Sequence, residues 1–428
     1  MGILIQNGRV IDAASQTDCI MDIYIKEDMI DVVKDSIDKH DSGDTIIDAK
    51  GLLVLPGLVD MHVHLRDPGQ TEKEDIESGS KAAARGGVTT VVAMPNTSPV
   101  IDCRDRVEYV VHKAEQVACV HVLQAGALSE GQKGLAVADI SGMKKAGAAA
   151  LSEDGKSVMN AAVLRKAMLE AKKHDLTILD HCEDIDLRGK GCMNEDSNSE
   201  RLKLPGICNE TEDSITARDV MLALDTGAKL HLCHVSTYGV ARLMQMLKKA
   251  GIKDITAEVC PHHLILTSDD IKRDDPNFKM NPPLRTPKDV QALREALADG
   301  SIPVISTDHA PHTRADKSGS MRTAAFGITG LETSFSLIYT ELVQTGVLSL
   351  MQLVEKMSYN PARILGLPCG VIAKGHPADL VLIDPDAEYT IDKNEFVSKG
   401  KNTPFHGRKV KGRVVRTICA GKTVYKAE

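Results

Sequence analysis

The stretch Asp60-Met61-His62-Val63-His64-Leu65-Arg66-Asp67 follows the apolar run Leu52-Leu53-Val54-Leu55 and the pair Pro56-Gly57. Side chains on a strand alternate between faces, so His62 and His64 point the same way. Two imidazoles on one face at a strand's end make half of a metal site. Arg66 follows on that face and places a cation beside them. An isolated His-x-His is as readily two unrelated surface residues, so the other strand ends have to decide.

Outward from this stretch, strand-like runs alternate with amphipathic helical ones. Strands are predicted at 59–65, 88–94, 120–125, 148–152, 177–181, 230–234, 255–259 and 304–307, with helices at 73–86, 160–174, 211–226 and 240–250 among them. About eight strand–helix repeats over ~250–300 residues indicate a (β/α)8 TIM-like barrel, class α/β. A doubly wound open sheet is the alternative, but no Gly-x-Gly-x-x-Gly follows a strand and there is no phosphate loop. The ends read differently. Short strands are predicted at 2–10, 20–25, 30–33 and 45–48, and again at 378–383, 410–416, 418 and 423–425, which suggests a small β-sandwich domain built from both termini. The expected division is 1–53 and 367–428 for that β-domain and 54–366 for the barrel.

Composition agrees. The 428 residues are 42% hydrophobic but only 3% aromatic, with no Trp, so the core is built from aliphatic side chains. A formal charge of −8 and the scarcity of aromatics argue against nucleic-acid binding. No apolar stretch reaches ~18 residues and no cleavable leader is read, so no membrane association is expected. Ten cysteines stand singly without a Cys-x-x-Cys pair, which fits free thiols in a reducing cytoplasm.

A barrel gathers its chemistry at the C-terminal ends of its strands. Strand one ends in His62 and His64, strand four in Ser152-Glu153-Asp154-Gly155 and strand five in Asp180-His181-Cys182-Glu183. Strand six ends in His231-Leu232-Cys233-His234 and strand eight in Thr307-Asp308-His309-Ala310-Pro311-His312. Any one of these is weak; several converging on one rim suit one or two zinc-like ions.

The arrangement resembles the amidohydrolase superfamily of metal-dependent barrel hydrolases. More narrowly, His64-Leu65-Arg66-Asp67-Pro68-Gly69, Ala93-Met94-Pro95-Asn96-Thr97, Asp180-His181-Cys182-Glu183, Asn281-Pro282-Pro283-Leu284-Arg285, Thr307 to His312 and Asn360-Pro361-Ala362 are similar to the class I dihydroorotases. The resemblance spans essentially the whole chain. It implies Zn2+, one or two ions with two favoured, held by His62, His64 and Asp308 and by His181 and His234. Asp154 is implied as the bridging ligand, although Glu153 stands where the class usually has Asp.

The resemblance further implies reversible cyclisation of N-carbamoyl-L-aspartate to dihydroorotate in pyrimidine biosynthesis. A water on the metal would be the nucleophile, with Asp308 as general acid and base. Arg66 and Asn96 are implied to bind the substrate carboxylate together with Asn281 and His312, and backbone groups at Phe326 and Gly327 to meet the ring's polar edge. The loop 312–329 reads as a lid or an ordinary surface loop. A homodimer and association with aspartate transcarbamoylase are family implications only. Glu183 is expected to orient His181, whereas His262 and His263 are expected to pack rather than ligate. Two alternatives stand beside this reading: a hydantoinase or allantoinase, and an inactive scaffold for aspartate transcarbamoylase.

Overall fold

The computed structural model describes residues 2–38 and 41–428. Eight parallel strands form the barrel: β1 (Leu58–Val63), β2 (Val88–Ala93), β3 (His121–Ala127), β4 (Ala150–Ser152), β5 (Thr177–Asp180), β6 (Leu230–Leu232), β7 (Ile255–Val259) and β8 (Val304–Ile305). They pair in chain order. A parallel bridge between Val63 and His309, with the His64 amide donating to the His309 carbonyl at 2.9 Å, closes β1 onto the end of β8. Asp60 strengthens that seam, accepting from the Thr307 amide at 3.1 Å and its hydroxyl at 2.6 Å.

The helices form where the apolar spacing asks for them. Helix Ala161–Lys173 buries Val163, Leu164, Ala167, Met168 and Ala171, a 3–4 spacing that gives one apolar stripe. The Asn160 side chain accepts from the Ala162 and Val163 amides and so satisfies donors that the first turn leaves open. Helix Ile76–Arg85 starts with a capping box between Asp75 and Ser78 and packs Ile76 and Ala82 to Ala84 inward. Between strands and helices lies one continuous aliphatic core. A smaller cluster of Met61, Val92, Met94, Ala125, Ala150, Leu179, Cys233 and Val304 fills the barrel lumen. A filled lumen leaves room for a site only at the rim.

The terminal strands make a second sheet. Gly2–Asp12 pairs antiparallel with Thr17–Lys26, and Lys409–Cys419 lies between Leu380–Thr390 and Lys422–Lys426. Leu53–Pro56 joins the two ends, parallel to the first strand and antiparallel to Leu380–Thr390. That pairing crosses the boundary read at 53/54, because Leu53 to Pro56 find ladder partners on the terminal sheet before the chain turns into β1. The first strand branches, pairing with Thr45–Asp48 through Ile3 to Gln6 and with Leu53–Pro56 through Arg9 and Val10. No helix among the described residues is long and apolar enough to cross a membrane.

Candidate active site

A cavity of about 340 Å³ opens at the C-terminal rim of the barrel. His64, Arg66, Asn96, Asp154, His181, His234, Asn281, Asp308, His312, Phe326 and Gly327 line it, and His62 lies buried beneath. Every site residue expected from the sequence is therefore in or under one cavity. The sequence reading missed Arg188, which also lines it and lies 3.0 Å from Glu183 through Nε.

Asp154 sits at the centre. Its Oδ1 is 3.2 Å from His62 Nε2 and 3.5 Å from both His181 Nδ1 and His234 Nε2, while Oδ2 is 3.5 Å from His64 Nε2. The neighbouring carboxylate is used elsewhere: Glu153 accepts from the Leu128 and Ser129 amides at 3.1 and 3.0 Å and from the Ser129 hydroxyl. Asp308 Oδ1 lies 2.9 Å from His64 Nε2 and 3.6 Å from His62 Nε2.

Three strand exits are bent to reach this centre. Arg66, His234 and Asp308 hold φ of 59°, 36° and 48°. This left-handed region disfavours L side chains, and holding it costs on the order of 1–3 kcal/mol at each position. Strict alternation would carry Cys233 and His234 to opposite faces. Instead Cys233 packs in the lumen and the turned backbone at His234 swings the next imidazole over it. In β1 the pairing with β2 slips between Asp60 and Val63, the kind of irregularity that re-aims side chains at strand ends.

Buried partners orient the imidazoles. Glu258, on β7, accepts from His62 Nδ1 at 3.0 Å and from His231 Nε2 at 3.1 Å. Burial alone would raise its carboxyl; the bonds from His231 and His62 outweigh that and hold it well below the usual range. Glu183 lies 3.3 Å from His181 Nε2, as expected, and accepts from Asn281 Nδ2 at 2.9 Å. Asn96 meets His64 Nδ1 through Oδ1 at 3.0 Å and donates to Asp154 Oδ2 at 3.0 Å, so it braces the cluster as well as lining the cavity. His262 and His263 do not line this cavity; with Cys260 they form a further buried group whose ligand atoms lie within 4.8 Å of one another, and His263 Nε2 donates to the Pro282 carbonyl at 2.9 Å.

The cavity wall beside Arg66 is held by bonds within the chain. The Phe326 carbonyl accepts from His312 Nε2 at 2.7 Å, the Gly327 amide donates to the Lys279 carbonyl, and the Gly327 carbonyl accepts from Asn402 Nδ2 and Lys317 Nζ. Those three groups are paired within the chain, whereas the Phe326 amide makes no hydrogen bond among the described residues. Gly327 is required there: at φ 123° a Cβ would lie 2.5 Å from that of Ala310. Asn402, missed in the sequence, ties this wall together by accepting from the His312 amide and donating to the Ala310 and Gly327 carbonyls, each at 3.0 Å. Arg66 is buried in the wall, with Nε donating to the Pro311 carbonyl at 3.3 Å and Nη2 3.4 Å from His312. No carboxylate lies within ion-pair distance of it among the described residues.

The donor set fits divalent cations. Two groups of ligand atoms, His62 with His64 and Asp154, and Asp154 with His181 and His234, each lie within 4.8 Å of one another. His62 Nε2, which faces Asp154, is buried without a hydrogen-bond partner, and His181 Nδ1 and His234 Nε2, both facing Asp154, meet each other at 2.9 Å. Imidazoles left unpaired around a shared carboxylate lack the hydrogen bonds that buried polar groups otherwise make.

Comparison with known proteins agrees with this geometry. Residues 53–424 match the amidohydrolase family. A dihydroorotase of Caldanaerobacter subterraneus subsp. tengcongensis is 48% identical over 99% of this chain and 97% of its own. Another, of Geobacter metallireducens, is 46% identical over 100% of both. Among solved structures, the L-hydantoinase (dihydropyrimidinase) of Arthrobacter aurescens superposes with a TM-score of 0.87 at 27% identity, covering 99% of this chain and 96% of that one. The dihydropyrimidinase of Brevibacillus agri gives 0.86 at 24%, over 100% and 95%. Barrel, terminal sheet and rim thus have relatives along their whole length, and the chain belongs to the amidohydrolase family, among its dihydroorotases.

Proposed function

We propose that this chain is a dihydroorotase, a cyclic-amide hydrolase that interconverts dihydroorotate and N-carbamoyl-L-aspartate, and that it serves pyrimidine biosynthesis in the cytoplasm. Its ten cysteines are all free thiols, as a reducing compartment favours. His62, His64 and Asp308 would hold one zinc ion and His181 and His234 a second, with Asp154 shared between them. When bound, the metal would supply Lewis acidity and lower the pKa of a water.

The chain's own groups supply the rest. Asp308, next to His64 at the cavity floor, takes a proton from the attacking water at its carboxylate and returns it to the ring nitrogen as the amide bond breaks. In the reverse direction it removes that nitrogen's proton as the ring closes. Asn96 and Glu183 keep His64 and His181 turned to the centre while this happens.

One observation carries the substrate assignment: the buried Arg66 guanidinium in the cavity wall has no carboxylate partner of its own. Leaving a buried charge unpaired is costly, and a planar fork suits a carboxylate. Dihydroorotate brings one; hydantoin and allantoin do not. Rates of hydrolysis for the three compounds test the assignment. Preference for dihydroorotate is expected, and preference for either of the others overturns it. Anomalous scattering at the zinc edge counts the ions, with two expected per chain.

A further inference from the structure

A second cavity, of about 430 Å³, shares His312 with the active cavity. Four cationic side chains line it, Arg314, Lys393, Lys399 and Lys401, together with Lys317, whose ammonium is pushed down to about 7 by burial and the neighbouring Lys279. The remaining lining residues are neutral amides, a threonine and His312, with no carboxylate among the described residues. In a chain of net charge −8 this concentration of one sign is not an average of the surface.

The charge is only partly compensated. Lys399 pairs with Asp75 and donates to the Thr71 carbonyl. Lys317 donates to the Lys279, Ala325 and Gly327 carbonyls, and Lys401 to those of Phe396 and Ser398. Lys317 is held by three carbonyls in a buried position that disfavours its charged form, so the positive charge of the cavity rests on the other four side chains. Arg314 and Lys393 form no ion pair among the described residues. His312, 7% exposed, has no hydrogen-bond partner at Nδ1, although Asp316 Oδ2 lies 3.8 Å from it. With Nε2 donating to the Phe326 carbonyl, that Nδ1 is an acceptor, suited to a ligand hydroxyl.

We propose that this cavity binds a phosphorylated small molecule, at a site separate from the hydrolytic centre. An Arg fork beside several Lys ammoniums is the usual provision for phosphate oxygens. The volume lies in the range of small-molecule sites and exceeds what one phosphate group fills, so the phosphate would carry an organic group that meets the asparagines. A nucleic acid is disfavoured, because the cations line one cavity and not an extended stripe.

The test is calorimetric titration of the metal-loaded, full-length protein with inorganic phosphate and with a nucleoside 5′-monophosphate, with and without saturating dihydroorotate. The Arg314→Ala, Lys393→Ala double variant serves as control; neither residue lines the catalytic cavity. Saturable binding that persists with dihydroorotate present and weakens by about tenfold or more in the double variant is expected, as loss of charged hydrogen bonds implies. Tighter binding of the nucleotide assigns the site to an organic phosphate, and equal binding to free phosphate. Unaltered hydrolysis by the double variant shows that it is folded. Absence of saturable binding up to about 10 mM, equal affinity in the double variant, or simple competition by dihydroorotate would each overturn the proposal.

Discussion

Glu258 holds His62 and His231 through its two carboxylate oxygens, at 3.0 and 3.1 Å, one layer below the cavity and out of reach of any substrate. The bond to His62 Nδ1 fixes the proton there and leaves Nε2 facing Asp154. Glu258→Gln keeps the shape but removes the carboxylate that favours this tautomer. Zinc affinity, measured by competition with a chelator, is expected to fall by about 10–100-fold. Unchanged affinity would show that packing alone orients the imidazole.

The two adjacent carboxylates at the end of β4 separate by their partners. Asp154→Asn is expected to abolish turnover and reduce metal content, since Asp154 Oδ1 and Oδ2 face all four imidazoles. Glu153→Gln leaves the imidazoles untouched and disturbs only the bonds from Leu128 and Ser129. Its expected cost is stability, about 1–3 kcal/mol by urea unfolding, with metal content retained.

Arg66→Lys tests the carboxylate fork. A lysine keeps one charge but not the planar pair of donors. KM for dihydroorotate should rise by about 10–100-fold, the equivalent of roughly 1.4–2.8 kcal/mol, while any turnover measured with hydantoin changes little. A parallel loss for both compounds would mean that Arg66 shapes the wall without reading the substrate.

His312 gives a pH dependence with a definite sign. Burial first, and Arg66 next, push its imidazole from 6.5 down to about 3. Between those values the unfolded chain binds a proton that the folded chain refuses, so this group's contribution to stability rises with pH and is lost as pH falls below 6.5. In His312→Gln that part of the acid sensitivity disappears. The difference between wild type and variant in urea-unfolding free energy at pH 7 and pH 5 should shift by up to ~1.4 kcal/mol per pH unit within the window. Proton NMR should show the His312 ring not titrating above pH 5.

Most of the rim was legible because strand ends announce themselves: an apolar run, then His, Asp or Arg at short spacing. The eight barrel strands fall within a few residues of their predicted places for that reason. What escaped was support from residues distant in sequence. Glu258 stands as a single charge in Ile255–Val259, and a lone carboxylate inside a barrel strand is itself a signal of a buried partner. Asn402 lies 90 positions from the His312 amide it accepts from, and nothing local in 401–403 points to a site. Asn96 was read as a substrate contact from its motif, and its bonds to His64 and Asp154 needed coordinates. Face alternation, sound within a strand, fails at His234, where the left-handed backbone overrules it.

The seam between Val63 and His309 also has a temporal side. Asp60 and Thr307 meet across 247 positions, and His64 and Asp308 across 244. A chain emerging from the ribosome presents five of its six expected metal-binding side chains long before Asp308 and the closing bridge exist. The bridge to Val63 needs residue 309, so the chain's last barrel strand is also the segment that completes the site.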